Sequence, residues 1–381
     1  MSAFLCQIVS RNFVAIFRGT AYNLRPMQND LVTMNDDKMR RDLKGLTPKG
    51  IDRFCTEAMG QKPGQGTRVA VRLFRKKVED FDLMTDLNRP FREQLKRHAL
   101  ISRLMIDQRS ASGDGTEKLL YRLDDGNTIE GVLIPGPGGR LTLCVSTQVG
   151  CASGCAFCRT GESGLTRNLS AAEIVNQVFA AQKVAASLIT NIVLMGTGEP
   201  LSNYEAVKTF VQAATDRHGM GFSNRKVTIS TCGLAPMIEK MADDTEMDAS
   251  LAVSLNATTD AVRDQIMPVN KTYPIARLIQ ALHHYGRKTN KTVTIEYVLF
   301  RGVNDSDEDA VRLMELLKGL PCMINVLMFN SFPGAPFERP DEERVYAFRN
   351  MLLKHGFVAV VRNSRGKDIN AACGQLRAAV T

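Results

Sequence analysis

From residue 191 to residue 361 the chain repeats one pattern. Apolar, β-rich runs at 191–195, 226–230, 251–255, 293–299, 324–329 and 358–361 are separated by segments of helical period. Strand, helix, strand at this regularity calls for parallel strands joined by helical crossovers. The expectation is an α/β fold, either an open doubly wound sheet or a full or partial (β/α) barrel. In both, ligands gather at the carboxyl ends of the strands, so the residues just after each run are the ones to inspect. Ser170 followed by Glu173 makes a capping box ahead of one helix, with Ile174, Val178 and Ala181 on one face.

The preceding chain reads differently. From Asp36 to about Asn88 the period is helical: Thr47 can cap a helix with Pro48 at its first position, and Ile51, Phe54, Cys55 and Met59 share a face. Pro90 restarts a helix through Leu95. Between Leu119 and Ser146 apolar residues alternate around the turn residues Asp124-Asp125-Gly126-Asn127, which predicts two or three strands with a hairpin. The expected division is therefore an extension over 1–35, a helical accessory domain over 36–117 and the main domain over 118–381. The first 29 residues carry Arg11, Arg18 and Arg25 with no Lys and no acidic residue. That composition is similar to an organelle transit peptide, and a true start at Met27 or Met34 is the alternative.

The chain has 381 residues and a formal net charge of +9, which fits a phosphate-bearing partner as well as a merely soluble basic protein. Arg72, Arg75, Lys76 and Lys77 are either a solvated face or an RNA contact. No apolar run is long enough to span a bilayer, so no membrane partner is expected. Nine cysteines, three of them within eight residues, do not resemble a disulfide framework and point to a reducing compartment. A cytoplasmic location is expected, or an organelle matrix if the extension is a transit peptide.

Those three cysteines are the sharpest chemical signal. Cys151, Cys155 and Cys158, at C-x3-C-x2-C spacing, follow the strand ending near Ser146, and Gly150 and Gly154 allow the tight fold such a loop needs. Three thiolates can hold three irons of a [4Fe-4S] cluster and leave the fourth open to a substrate. A closed zinc site would want a fourth protein ligand, and no second Cys or Cys-His pair stands at finger spacing downstream. The run ending at Met195 leads into Gly196-Thr197-Gly198-Glu199-Pro200, where glycines permit close backbone approach and a carboxylate can meet an ammonium group.

With an aromatic residue, Phe157, before the last cysteine, the loop resembles the radical S-adenosylmethionine (SAM) signature. The resemblance implies a cluster whose open iron is chelated by SAM. Gly198 and Glu199 match the motif that binds the SAM amino group, while Ser230, Ser254, Leu255, Asn256 and Asn330 stand where that barrel presents its other SAM ligands. Further stretches resemble the RlmN family of rRNA and tRNA adenine C2-methyltransferases from about Ile129 to Leu376. They are Ile129-Glu130-Gly131-Val132, residues 143–151, Met267-Pro268-Val269-Asn270, residues 332–336 and the run from Arg365 through Cys373 to Leu376.

This resemblance implies a small helical domain ahead of a partial radical SAM barrel with a β-hairpin extension. It also implies a mechanism using two SAM molecules. Carbon 2 of adenine is electrophilic and cannot displace the SAM methyl as an amine would. One SAM methylates Cys373; a second is cleaved to a 5′-deoxyadenosyl radical, which takes a hydrogen from that methyl, and the methylene radical adds to the adenine. Glu130 matches the base that removes the carbon 2 proton, and Cys144 the thiol that forms a disulfide with Cys373 to release product. The implied partners are rRNA and tRNA and an electron donor such as a flavodoxin or ferredoxin, with the protein acting as a monomer. Arg362, Arg365 and Lys367 could meet RNA phosphates. Cys6, Cys55, Cys232 and Cys322 match no family role, and Cys55 and Cys322 are taken as packing residues.

Two positions depart from the family, with Asn256 standing where many members have His and Thr197 where they have Met. Asn keeps the capacity to hydrogen-bond a ribose hydroxyl. The rival readings are a Cfr-like carbon 8 methyltransferase, against which Pro200 is a single-residue argument, and a zinc-holding RNA-binding protein without catalysis.

Overall fold

The computed structural model describes residues 40–162, 164–332 and 334–376. The extension over 1–35 and Cys6 lie outside the described residues. Two short strands, β1 (Arg41–Asp42) and β2 (Ala99–Leu100), pair in parallel around a helical region. There Thr47 caps α1 (Pro48–Met59) by accepting from the Gly50 N–H, and α2 (Gln65–Ala70) and α3 (Arg89–His98) follow. Ile51, Cys55 and Met59 are buried, as the helical spacing requires.

The rest is built on one large sheet. The chain contributes β3 (Met105–Ala111), β4 (Glu117–Arg122), β5 (Thr128–Pro135) and β6 (Leu141–Cys144), then a separate antiparallel pair, β7 (Gln148–Gly150) and β8 (Leu165–Asn168). It returns with β9 (Asn191–Leu194), β10 (Val227–Thr231), β11 (Ser250–Ser254), β12 (Val293–Leu299), β13 (Cys322–Met328) and β14 (Val358–Arg362). The ten-stranded order is β14-β13-β12-β11-β10-β9-β6-β5-β4-β3. Every pairing from β14 to β6 is parallel and every pairing from β6 to β3 is antiparallel. Among the described residues no ladder joins β14 back to β6, so the parallel part is a partial barrel carrying a β-hairpin extension.

Helices form the crossovers. A one-turn α4 (Arg159–Glu162) follows the cysteine loop, and α5 (Ala171–Val184) opens on the expected capping box of Ser170 and Glu173. Then come α6 (Tyr204–Thr215), α7 (Ala235–Asp243), α8 (Asp260–Ile266), α9 (Ile275–Thr289), α10 (Asp307–Leu316) and α11 (Glu342–Lys354).

One expectation changes. The segment 36–117 is not helical throughout, because the chain enters the large sheet at Met105. Its helical part is tied to the barrel by a buried cation. Lys44 is fully buried, and its ammonium donates to Glu79 Oε1 (2.6 Å), to the Ser102 carbonyl (2.9 Å) and to Asn176 Oδ1 on α5 (2.7 Å) while lying over the Phe179 ring. Burial pulls the Lys44 pKa down and Glu79 opposes it. Of the basic run, Arg72 pairs with Asp86 (2.7 Å) and Arg75 donates to the Arg217 carbonyl (3.0 Å), so both serve the fold.

Candidate functional site

The cysteine loop and the carboxyl ends of β9–β13 surround a pocket of about 990 Å³, counted out into open solvent at its mouth. Its wall includes Cys151, Cys155, Cys158, Gly198, Glu199, Ser230, Ser254, Asn330 and Cys373. Residues 222 positions apart in sequence thus meet because parallel strands end on the same side.

The cysteine loop is shaped by its glycines. Gly150 has φ +75, and a Cβ there would lie 1.9 Å from the Gly164 carbonyl oxygen, which accepts from the Cys151 N–H at 2.7 Å. Gly154 has φ +60. The Ala156 N–H donates to the Ile266 carbonyl (3.0 Å), tying the loop to α8, and Phe157 packs on Phe300 with ring centroids 5.6 Å apart. Burial pushes the Cys151 and Cys155 thiols up. Among the described residues no group of three or more His, Cys, Asp or Glu is arranged to hold a single metal ion. The three thiols line one pocket wall and would each hold one iron of a cluster.

Glu199 is buried and is held at the entry of a short 3₁₀ turn, where Oε1 accepts from the Leu201 N–H (2.9 Å) and Oε2 from the Cys232 N–H (2.7 Å). Burial pushes its carboxyl up, and those two donors oppose the shift. Gly198 has φ +109, and a Cβ there would sit 2.6 Å from Gln148 Cβ, so only Gly lets this turn pack against Gln148 while it lines the pocket. Asn330 donates to the Cys373 carbonyl (3.2 Å), while its buried Oδ1 has no protein partner. An orphaned acceptor in a polar pocket suits a ligand with hydroxyl or amino donors, such as SAM.

The structure separates two expected ligands from this wall. Leu255 and Asn256 are fully buried and do not line the pocket. Asn256 adopts φ +56, its Oδ1 accepts from the Val298 N–H (2.9 Å), and its carbonyl accepts from Asn304 Nδ2 (2.7 Å). Its Oδ1 is committed to β12 and its Nδ2 faces Met267 Sδ (3.4 Å), so it stands behind the pocket wall rather than on it, where its position had suggested a ribose contact.

Cys373 is open to the pocket. Burial pushes its thiol up, Glu296 adds to that and Arg362 opposes. Cys144, at the end of β6, is buried in an apolar cluster with Val132, Ala371 and Leu376, the last two flanking the Cys373 loop. Both cysteines are free thiols. Glu130 lies on the neighbouring strand, buried, with Lys118 at 3.1 Å across the β4–β5 ladder. Lys118 also reaches the Asn370 carbonyl (3.4 Å), so one cation links Glu130 to the Cys373 loop. Glu130 and Cys144 do not line the main pocket themselves.

Three residues were not singled out for the site on sequence. Glu296 lines the pocket in mid-strand, held by Asn325 Nδ2 (2.8 Å), and burial pushes its carboxyl up. A carboxylate within an otherwise apolar parallel strand was the available signal. Cys232 lines the pocket with its Sγ 3.6 Å from Ser153 Oγ, and Arg263 is fully buried behind it.

Comparison with known proteins agrees with this geometry. The model for the radical SAM superfamily matches residues 145–314, and the model for the ribosomal RNA large subunit methyltransferase N-terminal domain matches residues 41–101. The chain is 47% identical over 350 residues to a dual-specificity RNA methyltransferase RlmN of Syntrophotalea carbinolica, covering 92% of this chain and 93% of that protein. It is 44% identical to the protein of that name from Pelobacter propionicus, over 89% of this chain and 96% of that protein. A crystal structure of a radical SAM methyltransferase from Sphaerobacter thermophilus superposes with a TM-score of 0.81 at 43% identity, covering 88% of this chain and 99% of that one. With a pocket wall suited to a [4Fe-4S] cluster and SAM, and with this likeness along nearly the whole described length, the chain belongs to the RlmN family of radical SAM methyltransferases.

Proposed function

We propose that this protein methylates carbon 2 of an adenosine in 23S-type rRNA, at the peptidyl transferase centre, and the adenosine 3′ of the anticodon in tRNA. The observation that carries the reading is the placement of Cys373 on the same pocket wall as the three-cysteine loop, with Cys144 packed beside the Cys373 loop. When bound, the cluster and SAM supply a methyl group, an electron and a carbon-centred radical. Cys151, Cys155 and Cys158 would hold the cluster, and Gly198, Glu199, Ser230, Ser254 and Asn330 would hold SAM.

The chain's own residues supply the rest. Cys373 would carry the methyl carbon to the base; after the adduct returns one electron to the cluster, Glu130 would take the carbon 2 proton, and the Cys144 sulfur would bond to the Cys373 sulfur as the bond from that sulfur to the product's carbon breaks. Lys118, 3.1 Å away, would hold Glu130 in place for that proton transfer. The helical segment and the β3–β4 hairpin would contact RNA beyond the reacting base, a low-potential flavodoxin or ferredoxin would deliver electrons, and the protein would work as a monomer in the cytoplasm. Among the described residues no helix is long and apolar enough to cross a membrane.

Nucleoside mass spectrometry of rRNA and tRNA treated with the anaerobically reconstituted protein tests the reading. We expect 2-methyladenosine from wild type and none from Cys373→Ala. Finding 8-methyladenosine instead would reassign the regiochemistry, and finding no methylated adenosine with a SAM-responsive cluster present would remove the RNA assignment.

A further inference from the structure

Arg263, on α8, is the largest side chain in the described structure with essentially no exposure. Its guanidinium donates to the carbonyls of Leu255 (2.9 Å), Cys232 (2.7 Å) and Ser254 (3.1 Å) and to Asn270 Oδ1 (3.1 Å). All four acceptors are neutral. Its hydrogen bonds are thus met while its charge has no direct carboxylate partner. Asp260 (3.0 Å) and Asp264 (2.7 Å) act on it only at one remove, each accepting from Asn270 Nδ2.

A buried cation is costly, and one whose nearest carboxylates, Asp260, Asp264 and Glu199, all stand at one remove favours a further negative charge beside it. Two contacts point to where that group sits. The Cys232 carbonyl that Arg263 holds belongs to the residue whose Sγ meets Ser153 Oγ, inside the cysteine loop. The helix carrying Arg263 also receives the loop's Ala156 N–H at Ile266. Arg263 therefore backs the wall on which Cys151, Cys155 and Cys158 stand.

We propose that Arg263 is the electrostatic counter-charge of the [4Fe-4S] cluster and raises its reduction potential, making the cluster accessible to a low-potential one-electron protein donor. A cluster on three thiolates is anionic and gains one further negative charge when the donor's electron arrives. A fixed positive charge behind it stabilises the reduced form more than the oxidised form. The same guanidinium pins the carbonyls at the ends of β10 and β11, so removing it could disturb geometry as well as charge. The test has to separate the two.

The proposal rests on the cysteines holding the cluster, which iron content and the EPR spectrum of the reduced wild type report first and separately. The deciding measurement is the cluster's reduction potential, by EPR-monitored redox titration without RNA, in Arg263→Lys, Arg263→Met and Asp264→Asn. Lys keeps the charge and loses the fork; Met keeps much of the volume and loses the charge. Asp264→Asn keeps Arg263 and removes a partly buried anion coupled to it through Asn270, so it reports whether charge at this place reaches the cluster, while Arg263→Lys against Arg263→Met decides whether Arg263 supplies it. The expected order is Met most negative, Lys near wild type and Asp264→Asn more positive. Potentials that are all alike, or a Lys variant shifted as far as Met, would overturn the proposal and leave Arg263 a carbonyl clamp.

Discussion

Asn330 joins two requirements of the site in one amide, since its Nδ2 steadies the Cys373 carbonyl while its Oδ1 is left buried and unmet. Replacing it by Ala removes a ligand acceptor worth about 1 kcal/mol or slightly more. Asn330→Ala is therefore expected to weaken SAM binding about tenfold, read by equilibrium dialysis on the cluster-loaded protein. The cysteines, Gly198 and Glu199 were legible because spacing and glycine placement carry their chemistry locally. Asn256 was not. Its role depends on a left-handed turn and on Asn304, 48 residues away, and neither leaves a mark in the neighbouring sequence. Glu296 escaped for the opposite reason: its strand reads as apolar, and only the register Ser254–Glu296–Asn325 shows it facing the pocket.

Among the elements, the β3–β4 turn works at a distance from its own strands. Asp114 accepts from the Gly366 N–H (3.0 Å), and Asp368 accepts from the Ser112 hydroxyl (2.6 Å), so this turn holds the loop that leads to Cys373. Burial alone would raise the Asp114 carboxyl, but hydrogen bonds from Thr116 and Gly366 outweigh it and hold it at about 2. Asp114→Asn should speed amide exchange over residues 366–371 without changing iron content. A depressed carboxylate stabilises above its unfolded pKa of about 3.9 and loses that contribution as pH falls toward its folded value. The difference between wild type and Asp114→Asn is thus expected to shrink below about pH 3.9 and to vanish near 2. The capping box and the parallel strands could be read directly from sequence, whereas β3 could not. Its residues are exposed or half-buried along its whole length, so no apolar alternation marks it.

For the molecule as a whole, the helical region and the barrel are joined through the buried Lys44 cluster. Removing Lys44 leaves Glu79 with only Lys183 and leaves Asn176 without its ammonium donor. Lys44→Ala should cost about 3 kcal/mol in urea unfolding, as breaking a buried pair from one side does, with little effect on the cluster's spectrum. The parallel class and the side on which ligands gather followed from periodicity. The open form of the barrel did not, because closure depends on whether the outer strands meet, a property of the assembled sheet.

If the methyl reaches RNA through Cys373, the fate of its hydrogens shows it. Protein and RNA would be supplied with SAM carrying a trideuterated methyl group, and the nucleosides and the Cys373 peptide weighed by mass spectrometry. If Cys373 is the carrier, its peptide gains the labelled methyl, the methyladenosine retains two deuterium atoms, and the third appears in 5′-deoxyadenosine. A product retaining all three, formed equally by Cys373→Ala, would mean direct transfer from SAM and would remove Cys373 as the carrier.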